Sequence, residues 1–215
     1  MKENHLKNKN EVNSDEEVFE SFFSDVLKQM PMKKSKIMQH TFDQSKTKAE
    51  KILFNSRHQV ERSFSEFLVG VDDQTKIKCH QIIHAAALSA AIVGCSPIPF
   101  SDAFLLVPIQ LTMMSRLHKL FGQSWSASIG KSLSKELVVV GLGRSAVGNI
   151  IKFIPAVGTV TGAAINASVA VSITEAVGWT TVKLLNDGDD LFEQAMSFRG
   201  QFNILFRVFN KSKNK

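Results

Sequence analysis

Three sets of residues in this sequence have types and spacings that chemistry could use. Gly130-Lys131-Ser132 has the ending of a phosphate-binding loop, in which bare backbone amides wrap the phosphates and the lysine neutralises them. Such a loop needs a glycine five residues before Gly130 and a strand ahead of it, but Trp125 stands there and no strand pattern precedes it. Gly141-Leu142-Gly143 lacks the third glycine and the βαβ setting of a dinucleotide site. Cys79, His80 and His84 form the second set. Histidines four apart share one helix face and can hold zinc, yet Gln81 occupies the place of the general-base glutamate, and two ligands do not complete a site. They read more simply as polar residues near the wet end of a helix. The third set is polar residues embedded in apolar runs. Ser101, Asp102 and Gln110 surround a helix start, where Asp102 can cap free amides and meet the positive end of the dipole, or where the group can recognise a partner. Asn166 and Glu175 interrupt the most apolar stretch; inside a bilayer they would need partners, and in a soluble bundle Glu175 would face water. No Ser-His-Asp or Cys-His order emerges, so the sequence points to no enzyme, no cofactor and no bound metal.

The elements that position these residues are helical. Between Lys152 and Glu175 no charged side chain occurs, and small residues outnumber large apolar ones. At about 1.5 Å per residue this run could cross most of a hydrocarbon core of about 30 Å. Gly158-Thr-Val-Thr-Gly162 is a small-residue pair of the glycine-zipper kind, and Asn166 and Ala170 continue its spacing by fours. Pro155 opens this helix, which extends toward Leu185. A second apolar hairpin spans Ile77–Leu117. Pro97 and Pro99 break it at a rigid turn, and Pro108 should bend its second arm by freeing the carbonyl of Phe104.

Amphipathic helices flank these hairpins. Ser14 and Glu17 form a capping box ahead of Val18, Phe19, Phe22, Phe23, Val26, Leu27 and Met30, a stripe that Pro31 ends. It suits either a membrane surface or the face of a core. Met32–Ser45 reads as a basic connector, and a helix follows from about Gln44 to Leu68, closed by Gly70. Asp72 or Asp73 caps the next helix. Further helices are expected over Ser124–Gly143, on to Phe153, and from Leu191 to Phe209. The fold class is therefore all-α: a helical bundle with two apolar, Gly- and Pro-punctuated hairpins between amphipathic helices. Its divisions are a disordered tail at 1–13, an amphipathic extension at 14–75, a hairpin domain at 76–186, and a C-terminal amphipathic helix with a basic tail at 187–215.

The 215 residues suffice for one core plus extensions. Net charge is +6, hydrophobic residues are 44 % and mean hydropathy is −0.01, which lies between soluble and polytopic membrane chains. The two cysteines do not imply a disulfide framework. The first residues lack the apolar core of a secretion signal, so a place in the cytoplasm or on the cytoplasmic side of a membrane is expected. The basic excess fits an anionic membrane surface better than nucleic acid.

Ser96-Pro-Ile-Pro-Phe-Ser-Asp102 with Gln110 and Met114, and Lys152-Phe-Ile-Pro-Ala-Val-Gly158 with Thr174-Glu175-Ala176, carry a resemblance. The chain resembles, over about Ile77–Leu185, the bacterial helical domain of unknown function that follows many Era-like GTPases and occurs in YcjF-like inner-membrane proteins. The resemblance implies a membrane-associated accessory module beside a GTPase, with no established reaction and no catalytic residue to transfer. Residues 1–75 are too few for a GTPase domain of its own, so a separately encoded GTPase is the expected partner. A soluble helical scaffold is the second reading, and a pore-forming protein the third. Replacing Gly158 or Gly162 by Leu should overpack the helix contact by about 1–3 kcal/mol. Thermal melts and localisation of both variants check this, and unchanged values would displace the stripe.

Overall fold

The structure, a computed structural model, describes residues 2–95, 102–126 and 162–188. Five α-helices and no strand occur among them: α1 (Lys2–Gln29), α2 (Met32–Phe64), α3 (Asp73–Gly94), α4 (Asp102–Leu120) and α5 (Gly162–Asp187), with a 3-10 turn at Ser65–Leu68 between α2 and α3. The all-α expectation holds. The helices expected over Ser124–Gly143, on to Phe153, and from Leu191 to Phe209 lie outside the described residues.

The chain is organised around α3, which packs against α1, α2, α4 and, most extensively, α5. Its start follows from Asp72, whose Oδ1 accepts the Thr75 amide at 2.9 Å and satisfies one of the free donors of the first turn. Hydrogen bonds from Thr75, its side chain first and its amide second, hold the Asp72 carboxyl below the usual carboxylate range. From Ala85 to Gly94 every residue is buried, so this half of α3 has no solvent face at all. A helix so enclosed meets the length and composition of a membrane span, yet here most of it is covered by the other helices.

Among the described residues, α3 and α5 meet backbone to backbone at Gly94. A Cβ added to Gly94 would stand 2.4 Å from the Ala167 Cα and 2.9 Å from the Asn166 carbonyl carbon, so the two backbones touch there. The facing stripe of α5 is Ala167, Ala170, Val171, Thr174 and Val177, all buried. It overlaps the stripe read through Gly162, Asn166 and Ala170: Ala170 is buried as expected and Gly178 on the same spacing lies against Ile83, but the Asn166 side chain is exposed and only its backbone takes part.

α1 lays Phe19, Phe22, Phe23 and Val26 into the core, with Met30 following just past its end, and the Phe19, Phe23 and Phe42 rings form a cluster with centres 4.9 to 5.9 Å apart. The aromatic stripe is thus a docked face rather than a membrane surface. α1 begins at Lys2, so the helix runs through the expected 1–13 tail and past Ser14 and Glu17, which cap nothing. Instead the Ser14 hydroxyl accepts from Gln81 Nε2 at 3.1 Å. α2 likewise replaces the expected connector. Met38, Thr41, Ser45, Ala49 and Leu53 are buried at spacings of three and four, and the lysines between them are good helix formers. Gly70 takes the left-handed conformation expected of it, φ +82°, and Gly122 and Gly188 also have positive φ, +71° and +77°. Pro108 lies inside α4, where the Thr112 hydroxyl donates to its carbonyl at 2.8 Å.

The Gly94 contact yields a graded prediction. Gly94→Ala pushes a methyl into backbone and should destabilise by at least about 1–3 kcal/mol. Gly178→Ala meets only the Ile83 and Met113 side chains at 2.9 Å, which can turn away, and should do less harm. Denaturant melts of both variants check the order, and equal stabilities would show that the two backbones do not touch.

Candidate functional site

The expected site residues divide by where they fall. Pro97, Pro99, Ser101, Pro155 and Gly158 lie outside the described residues. Asp102 and Gly162 are the first residues of α4 and α5. Gln110, Asn166 and Glu175 sit on those same helices. Gln110 was read with Ser101 and Asp102 as a group able to recognise a partner. It is buried instead, and its Nε2 donates to the Thr174 hydroxyl at 3.5 Å, a long bond across the α4–α5 contact. Glu175, expected at the surface of a soluble bundle, is only 6 % exposed. The structure therefore brings Gln110 and Thr174 together in the interior, buries Glu175 and leaves the Asn166 side chain on the outside.

Most other buried hydroxyls are satisfied within their own helix. Ser89 donates to the Ala85 carbonyl at 2.8 Å, Thr180 to Ala176 at 2.7 Å and Thr181 to Val177 at 2.8 Å; half-buried Ser168 and Ser172 do the same one turn back. A hydroxyl turned onto the preceding carbonyl presents a nearly apolar outer surface. Such residues fill space between helices and have no proton to give to a substrate.

The Cys79-His80-His84 set does not converge either. Cys79 is fully buried, and burial pushes its thiol up to about 12. His80 lies edge-on against Trp179 with ring centres 4.8 Å apart. Among the described residues no group of three or more His, Cys, Asp or Glu side chains could hold a metal ion. Cys95 is also buried and its thiol is raised by desolvation. Gly130-Lys131-Ser132, Gly141 and Gly143 are outside the described residues.

Several contacts were not read from the sequence. Arg116 donates to Asp25 at 2.6 Å and Ser21 at 3.0 Å, with its guanidinium 5.3 Å from the centre of the Phe22 ring. The hydrogen bond from Arg116 holds the Asp25 carboxyl below its usual range, so its stabilising effect is present at neutral pH and fades on acidification. His118 is buried with Nδ1 2.7 Å from the Met114 carbonyl, which places the proton on that nitrogen. The Ala86-x-x-x-Ala90-x-x-x-Gly94 spacing was the available signal for the α3 side of the small-residue contact.

A helical bundle whose interior hydroxyls bond to their own helices is the class these features define. The chain belongs to the family described as a domain of unknown function, DUF697, whose model matches residues 58–200. It is similar to magnetosome membrane protein 22 of Magnetospirillum gryphiswaldense, with 34 % identity over 111 residues, covering 50 % of this chain and 55 % of that protein. The chain thus spans about half the length of the curated relative it matches. No solved structure matches it.

The thiol environment is directly testable. At pH 8 the native protein should leave Cys79 and Cys95 essentially unreacted with Ellman's reagent, while guanidinium unfolding releases both. Rapid native labelling would show that the α3 surroundings are open.

Proposed function

We propose that this chain is a non-catalytic, membrane-associated accessory module that acts with a separately encoded GTPase. The observation that supports the non-catalytic half is the interior itself: small residues bring α3 and α5 into backbone contact, and the buried hydroxyls are turned onto their own helices. The membrane half draws on the relative that is named a membrane protein. The GTPase half draws on the resemblance to the domain that follows Era-like GTPases and occurs in YcjF-like proteins. A cytoplasmic-side location belongs to the same reading.

The enclosure of α3 favours a second reading for comparison, a soluble scaffold in which the apolar helices serve only each other. Cell fractionation separates the two. The module should sediment with membranes and be released by carbonate, because its span-like helix is sheathed by protein. Complete recovery in the soluble pool would select the scaffold. Affinity capture from the native host should recover a GTPase, and capture without one would remove that partner.

A further inference from the structure

Resting on the membrane-associated reading above, we infer that the outer face of α2 is the surface that docks on an anionic bilayer. A helix turns by about 100° per residue. On that wheel Lys33, Lys36, Lys48 and Lys51 lie within about 60° of one line along α2, and all four are exposed. Ile37 and Phe54 share the same sector and are 41 % and 66 % exposed. They stand about 25 Å apart along the axis. Asp43 and Glu50 lie outside the sector, about 80° and 100° from the line. The residues that fix α2 to the bundle are Met38, Ser45, Ala49 and Leu53, about 120–160° from the line, and Thr41, about 80° from it and beside Lys48. One face holds the helix in place; the other presents the four lysines with Ile37 and Phe54, and the exposed Asp43 and Glu50 run along one flank of that row, leaving cations in excess.

Lysines gain from the negative potential of an anionic leaflet, and exposed Ile and Phe gain from the headgroup–acyl boundary beneath it. A nucleic-acid phosphate backbone would serve the lysines but offers nothing to Ile37. Bilayer insertion of α3 or α5 is not required, since α2 is already at the surface of the folded bundle. Most of α2 precedes residue 58, where the family match begins, so this face is carried mainly by residues outside the family domain.

The test is sedimentation of the full chain with vesicles of phosphatidylcholine alone or mixed with phosphatidylserine. The unaltered chain should bind only the mixed vesicles, and binding should weaken as salt screens the charges. At about fivefold per lysine, the double variant Lys33→Glu, Lys51→Glu should lose about 25-fold or more in partitioning. Ile37→Ser with Phe54→Ser should also weaken it, while Lys78→Glu on α3 should not. Circular dichroism melts matching the unaltered chain show that the variants are folded. If the unaltered chain binds and the lysine variant binds equally well, the α2 assignment is overturned and the membrane reading stands. If the unaltered chain binds neither vesicle, the membrane reading itself fails. Equal binding to both vesicles, or a duplex DNA shift abolished by the same variant in the absence of vesicle binding, also overturns the assignment.

Discussion

The packing depends on one missing side chain. At Gly94 there is no Cβ, and the Ala167 backbone occupies the space it would need. A contact this close brings many atoms of both helices within van der Waals range, and individually small attractions accumulate. The alanines of α3 extend the same logic through Ala85, Ala86, Ala87, Ala90 and Ala91. Because α3 can be approached so closely by α5, it can also be surrounded by α1, α2 and α4. Large side chains enter from the periphery: Phe19, Phe22 and Phe23 from α1, Leu105, Ile109 and Met113 from α4, and Trp179 from α5.

Polar residues survive inside this bundle because their bonds are local. Ser89, Thr180 and Thr181 return their hydroxyl protons to carbonyls four residues earlier, so they pack as small apolar residues would. Gln110 is different, since its amide reaches across to another helix at Thr174. Such a bond carries register information that a methyl contact does not. It joins the two helices that carry Gln110 with Met114 and Thr174-Glu175-Ala176.

Much of this was legible from single residues whose role is local. Asp72 could be read as a cap and Gly70 as a left-handed turn because neighbours within four positions decide both. The α1 aromatic stripe was legible because its period is plain. What failed were judgements that depend on a distant partner. Ser14 and Glu17 fit a capping box, but Gln81 and the packing of α1 on α3 let the helix continue through them. The basic Met32–Ser45 stretch looked like a connector because Thr41 and Ser45 hid the inward stripe that Met38 and Ala49 complete. The contact face of α5 was legible in part: Ala170 lies inside as its spacing suggested, but at the Gly94 crossing Ala167 presents its Cα where Asn166 was expected. Gln110 was read as part of a group able to recognise a partner, and Glu175 as facing water if the bundle is soluble, for want of any sign that both are buried.

Thr112 joins two features that are remote in sequence. Its hydroxyl donates to the carbonyl of Pro108 at 2.8 Å and accepts from Gln29 Nε2 at 3.0 Å. Gln29 is the last residue of α1, and α2 begins three residues later. The α1–α2 corner is therefore latched to the proline turn of α4 through a single oxygen atom. Any unwinding of α4 around its proline would tug on that latch and shift the starting point of α2. Events around Pro108 thus have a mechanical route to the start of α2.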